Sequence, residues 1–300
     1  MTYPQLVERL SRQSVKKHFD AYEDVAWDAP EMRIDAADPR WELPADSPLG
    51  GTTWYRALPP GVRARLGLEL LARSMKVGMQ FENVLSRGLL TFAMERPNRS
   101  PEFRYALHEV IEESQHSLMF QEFVNRSGVD APGIAGWRER ASGRIVLLGK
   151  AFPELFFLFV LGGEDPIDHV QRTSLASGRE LHPLVRRISQ IHITEEARHL
   201  CFARQYLRER VPALSPLRRA ILSVAAPTIL HLMARMMLEP SPSVIRAFEI
   251  PEQVIDQAFR HNPRHRETIV QSLSKVRALC EELGLVTPRT RPLWRKLGIA

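Results

Sequence analysis

The chain has 300 residues, of which 44% are hydrophobic and 25% charged. These proportions are ordinary for a globular protein and exclude a disordered chain, a collagen-like chain and a disulfide scaffold. The formal charge is +6, but residues 262–300 hold eight Lys/Arg against three Glu, so most of the excess sits in that last segment. Two cysteines point to a reducing compartment. The start, MTYPQLVERLSRQ, lacks the apolar stretch of a secretory signal. A cytoplasmic location is the expectation.

Residues 1–60 carry seven Pro and three Trp (Trp27, Trp41, Trp54), with acidic residues between them, and read as an irregular arm packed on a core by its aromatics. A helical pattern begins after Gly61. Residues 62–96 contain no proline and stop before Pro97. Ser100-Pro101-Glu102 combines a capping residue with Pro at the first helical position, which predicts a second helix to about residue 126. A third helical stretch covers about residues 137–177, with a break expected at Gly162-Gly163. A fourth covers residues 183–210, before Pro212, and residues 216–284 hold two or three more. Two segments are strongly apolar. Lys150, Pro153 and Glu154 interrupt residues 145–163, and His231 and Arg235 interrupt residues 220–238, so both read as buried bundle helices rather than membrane spans. No run alternates as a strand would. The expected fold is all-α, one domain over residues 1–300. It comprises the arm (1–60), a four-helix core (61–210), and additional helices with a basic tail (211–300).

Six of the ten histidines (His108, His116, His169, His182, His192, His199) fall between residues 108 and 199. On the second helix, Glu109, Glu112, Glu113 and His116 share one stripe about 100° wide, at about 100° of rotation per residue. On the fourth, His192, Glu195, Glu196 and His199 repeat the same offsets 83 residues later. Glu-x-x-His lets one helix offer a carboxylate and an imidazole to one metal, and two such helices face to face can hold two. Ferritin-like bundles complete that site with one Glu from each of two further helices. The first helix offers Glu82, on a stripe with Leu71, Met75, Gly78, Leu85, Leu89 and Ala93, where an unpaired carboxylate is costly to bury. The third offers Glu164, on a stripe with Phe157, Val160, Ile167 and Gln171; Glu154, Asp165 and Asp168 are its rivals.

Carboxylates and imidazoles without a thiolate suit iron or manganese. The competing reading is two charged helix faces meeting in a salt-bridged interior. His108 lies off the stripe, and His169 and His182 read as surface or supporting residues. Glu109, Glu112 and Glu195 read as acids that orient the imidazoles or as solvated side chains. Met233, Met236 and Met237 read as core.

These residues resemble the p-aminobenzoate N-oxygenase family of diiron enzymes. That family reads Glu, then Glu-x-x-His, then Glu, then His-x-x-x-Glu-x-x-His. This chain offers Glu82; Glu113 and His116; Glu164; then His192, Glu196 and His199. The histidine four residues before the last Glu separates the pattern from other ferritin-like oxygenases and desaturases. The match runs over residues 82–199. The resemblance implies a ferritin-like four-helix bundle, two iron ions held by those seven residues, and O2 as co-substrate. It implies oxidation of a small-molecule amine, an arylamine above all, towards a hydroxylamine, nitroso or nitro product. It also implies a homodimer and a role in secondary-metabolite biosynthesis.

Gly149, Gly162-Gly163 and Gly50-Gly51 form no G-x-G-x-x-G, so the electrons are expected from an external reductase or reductant. No nucleic acid or membrane is expected as a partner, since Arg289, Arg291, Arg295 and Lys296 around Trp294 read as a solvated tail. The alternatives are another diiron oxidase (a C–H hydroxylase or desaturase), a radical-generating subunit, or a non-catalytic metal-binding protein. The radical-generating family carries Tyr four residues after its first Glu-x-x-His, where this chain has Phe120.

Overall fold

The computed structural model describes residues 1–134 and 136–299, with the backbone alone over 137–141. The helices are α1 (Tyr3–Lys16), α2 (Thr53–Ala57), α3 (Pro60–Met94), α4 (Pro101–Ser127), α5 (Gly136–Ala151), α6 (Pro153–Ala176) and α7 (Pro183–Arg210). There follow α8 (Pro216–Leu238), α9 (Pro242–Ala247), α10 (Glu252–Ile255), α11 (Pro263–Ser272), α12 (Ser274–Glu282) and α13 (Arg291–Lys296). No strand occurs among the described residues.

The five long helices α3, α4, α6, α7 and α8 all start with proline in the first turn, where its fixed φ suits the helix and its missing N–H costs nothing. Gly128 ends α4 at φ 67°, the left-handed conformation that closes a helix. Short connections join α3 to α4 and α6 to α7, so each pair runs antiparallel. α3 packs on α4 and α6 on α7, while the longer crossover between the pairs carries α5 against α3. This is the ferritin-like arrangement of four central helices.

Apolar packing occurs at both ends of the bundle. At one end Leu68, Ala72 and Met75 of α3 meet Met119, Phe120 and Phe123 of α4 and Leu184, Ile188 and Ile191 of α7. At the other, Phe92 of α3, Tyr105 of α4, Phe157 of α6 and Phe202 and Tyr206 of α7 form one aromatic cluster. Phe92 meets Phe157 edge-on, with centroids 5.1 Å apart and planes at 88°. Glu82, residues 109–116, Glu164 and residues 192–199 lie between these two clusters, so the polar layer is buried between apolar ends.

Four expectations differ from the structure. The break expected at Gly162-Gly163 falls instead at Phe152, and α6 runs unbroken through both glycines and Pro166. The glycines serve close packing: a Cβ on Gly163 would lie 2.2 Å from the Phe81 ring. The arm opens with α1, whose Leu6, Val7 and Leu10 are buried and which packs on α4 and α7. The C-terminal segment is docked through Trp294 and Ile299 in the core, while Arg289, Arg291, Arg295 and Lys296 are exposed as expected. Finally, α8 is buried on one face only. Leu222, Ala226 and Leu230 are buried, whereas Leu217, Ile221, Val224 and Leu232 are exposed. By length and composition Pro216–Ala247 could cross a membrane, and 39% of its most apolar window is buried.

Candidate metal centre

All seven donors named from the sequence are buried side chains that converge between the four central helices: Glu82 from α3, Glu113 and His116 from α4, Glu164 from α6, and His192, Glu196 and His199 from α7. Their ligating atoms form overlapping trios, each within 4.8 Å: Glu82–His116–His192, Glu113–His116–Glu196 and Glu164–His192–Glu196. A fourth trio joins Glu113 and His199 to Glu109. Of the rivals to Glu164, Asp165 pairs with Arg204, and Asp168 lies 2.7 Å from Arg172 Nε.

Each imidazole is oriented by a bond on its far side. His116 Nδ1 faces inwards, 3.1 Å from Glu113 Oε2, while its Nε2 lies 3.0 Å from Glu195 Oε2. His199 Nδ1 faces inwards, 3.0 Å from Glu196 Oε1, while its Nε2 lies 2.7 Å from Glu112 Oε2. His192 is turned the other way: Nε2 lies 3.5 Å from Glu82 Oε1 and Nδ1 lies 2.9 Å from Gln171 Oε1 on α6. With the outer nitrogen protonated and donating, each neutral ring presents a lone pair to the centre, the state a metal requires.

The braces are crossed between helices. Glu112 of α4 holds His199 of α7, and Glu195 of α7 holds His116 of α4. Arg198 lies between the braces, 2.8 Å from Glu112 Oε1 and 3.5 Å from Glu195 Oε1. The arm reaches the same layer, where the Phe19 backbone N–H donates to Glu195 Oε1 at 3.2 Å.

Without a cation this cluster is electrostatically strained. Burial, then Glu113 and Glu164, push Glu82 well above the usual carboxylate range. Burial, then Glu196 and Glu113, do the same to Glu164. Burial raises Glu109 to about 8, against the pull of His199. Burial also works against ionised Glu113, but His199 and hydrogen bonds from Glu82 and His116 hold it well below the usual range. On His116 burial is outweighed by Glu113 and Glu195, which raise the ring to about 10. His192, desolvated and beside His116, is pushed well down. Three buried carboxylate oxygens, Glu82 Oε2, Glu109 Oε2 and Glu196 Oε2, have no hydrogen-bond partner. Hard oxygen donors, inward imidazole nitrogens and uncompensated negative charge fit divalent metal ions.

Sequence reasoning left some residues undefined. Glu112 and Glu195 are buried orienting acids, and nothing in their spacing says that each serves the opposite helix. His182 is neither a surface nor a supporting residue of the centre. It caps α7 through a bond from the Leu184 N–H and stacks on Trp41 with centroids 4.4 Å apart. Met236 and Met237 line an apolar cavity of about 390 Å³. Leu70, Leu71, Val77, Val244 and Phe259 also wall it, and Arg73, Glu239 and His265 are its charged or titratable groups. Leu71 lies eleven residues, or about three turns, before Glu82 and so on the same helix face. Arg73 is already engaged, with Nε 2.7 Å from Glu69 Oε1 and Nη1 2.8 Å from Ser243 Oγ.

Fold and site together define a ferritin-like helical protein with a carboxylate–histidine centre. The sequence profile of the p-aminobenzoate N-oxygenase AurF family matches residues 1–284, and the chain belongs to that family. Similar proteins include two described as uncharacterized, from Mycobacterium bovis (strain ATCC BAA-935 / AF2122/97) and Mycobacterium tuberculosis (strain H37Rv). Each is 39% identical over 98% of this chain and 86% of its own length. A protein of Mycobacterium tuberculosis strain CDC 1551, also described as uncharacterized, is 38% identical over the same shares. No solved structure matches significantly.

Proposed function

We propose that the chain is a diiron N-oxygenase that oxidises a small-molecule amine, an arylamine by preference, with O2. The observation that carries this reading is His192. Its inward Nε2 lies on the same layer as the Glu and Glu-x-x-His donors of the central helices. That adds a third imidazole to the six-donor pattern of ferritin-like oxidases, in a chain of the N-oxygenase family.

Glu82, His116 and His192 would hold one iron and His199 the other, with Glu113 and Glu196, each beside both His116 and His199, placed between them, and Glu164, which groups with His192 and Glu196, completing the set. Bound iron supplies dioxygen activation and the redox chemistry that no side chain here provides. The chain's own contribution is to bind, orient and exclude water. The crossed braces fix the imidazole rings, and the two apolar clusters keep the layer dry. The amine occupies the apolar cavity beside the α3 face that carries Glu82. Converting an amine to a hydroxylamine with O2 also forms one water and consumes two electrons and two protons. An external reductant therefore belongs to this reading, as does a homodimer.

The first test is a count of irons per chain after anaerobic Fe(II) loading and desalting, followed by exposure to O2 with a panel of aminoarenes. Two irons and an oxidised amine are the expected result; a well-folded protein that retains no iron overturns the reading. Met237→Trp, which fills the cavity, is expected to raise KM for the amine while leaving the iron count at two. Light scattering tests the dimer.

A further inference from the structure

The two motif copies match beyond the seven donors. His192 stands four residues before Glu196 and seven before His199; Glu109 stands four before Glu113 and seven before His116. Each therefore lies one turn before the carboxylate that the two positions would share. In the structure each also meets the closing histidine of the opposite copy: His192 groups with His116 and Glu82, and Glu109 groups with His199 and Glu113, while His192 has a second group with Glu164 and Glu196. The braces show the same exchange, Glu195 to His116 and Glu112 to His199. Yet Glu109 is not a brace. It is 1% exposed, its Oε2 has no hydrogen-bond partner, and a ligating oxygen lies within 4.8 Å of the ligating atoms of Glu113 and His199.

From this arrangement we propose that Glu109 is an eighth metal donor, the carboxylate counterpart of His192, and that it ligates the metal at the His199 position. The proposal rests on the two-metal reading above. It makes the centre symmetric in donor number and asymmetric in donor type. The Glu82 position has two imidazoles, His116 and His192. The His199 position has one imidazole, grouped with the carboxylates of Glu109 and Glu113. Hard anionic oxygens favour the more oxidised metal, so the two positions would differ in redox behaviour.

The test compares wild type with Glu109→Ala, Glu109→Gln, Glu109→His and His192→Ala. Each is loaded anaerobically with Fe(II), counted after desalting, titrated against a competing chelator and examined by Mössbauer spectroscopy, with helicity checked by circular dichroism. Wild type is expected to hold two irons. Glu109→Ala is expected to keep one firmly and bind the second at least about 10- to 100-fold more weakly. His192→Ala is expected to weaken the other site, visible as loss of the other Mössbauer component. Glu109→His, which turns the first copy into a second His-x-x-x-Glu-x-x-His, should restore two irons and shift the spectrum of the His199 position alone. Should Glu109→Ala fail to fold, Glu109→His and the isosteric Glu109→Gln carry the same comparison. Two irons bound to Glu109→Ala or Glu109→Gln with wild-type affinity and an unchanged spectrum overturn the proposal and leave the diiron reading standing. A folded wild type with no iron overturns both.

Discussion

The α4 and α7 copies of the motif share spacing, burial and a carboxylate brace for the opposite imidazole, but differ at their first position, Glu109 against His192. The two first residues also differ in how they are satisfied. His192 is turned so that Nδ1 meets Gln171 of α6 and Nε2 enters the centre. Glu109 has an oxygen without any partner. One repeated helical pattern therefore presents two unlike donor groups, and the difference comes from a single residue type rather than from a different backbone.

The comparison is broken most completely by removing a closing residue. Glu113→Ala or His199→Ala is expected to abolish iron retention and amine oxidation together, with both metals lost because Glu113 faces both imidazoles. Iron counting after desalting checks this, and retained turnover in either variant would falsify the assignment. Removing the braces is a smaller change. Glu195→Gln should weaken the metal beside His116 and Glu112→Gln the metal beside His199, each by about 10- to 100-fold in a chelator titration. A brace that acted on its own helix would show the reverse pairing. Stability should separate the two variants as well. Glu112 is the closer partner of buried Arg198, so Glu112→Gln is expected to lower the melting temperature more than Glu195→Gln.

Much of this was legible in the residues, and what was not has a physical reason. Prolines in the first helical turn placed α3, α4 and α7 to within a few residues, because local capping chemistry decides where helices start. The paired motifs pointed to one layer because side-chain direction on a helix follows from spacing alone. Spacing does not say which neighbouring helix a side chain meets, so Glu112 and Glu195 were indistinguishable from solvated acids, and Glu109 from a brace. Gly162-Gly163 misled for the same reason: the close approach of Phe81 that makes glycine necessary is a tertiary fact. The half-exposure of α8 is another, since a uniformly apolar helix carries no periodicity to show which side is covered.

The smallest expected effect distinguishes the first residues by the sign of their pH dependence in the metal-free protein. Burial raises the Glu109 carboxyl to about 8 in the folded state. The folded state therefore keeps a proton the unfolded chain releases above its ordinary value near 4.5, and stability falls as pH rises from there to about 8. His116, raised to about 10, adds loss of the same sign as pH climbs from near 6.5 to 10. His192 works in the opposite direction. Its ring is pushed well down by burial and by His116. As pH falls through about 6.5 the unfolded chain takes a proton that the folded state refuses, and stability is lost on the acid side. Melting temperatures of the metal-free protein between pH 5 and 9 should show both limbs. Glu109→Gln should flatten the alkaline limb in part, leaving the contributions of His116, His199, Glu82 and Glu164, all raised in the folded state, and His192→Gln should flatten the acid limb. Loading with Fe(II) should suppress both effects, because a metal takes the place of the proton at each position. Identical profiles for the two variants would mean that the first positions of the two copies share one environment, against the asymmetry seen in the structure.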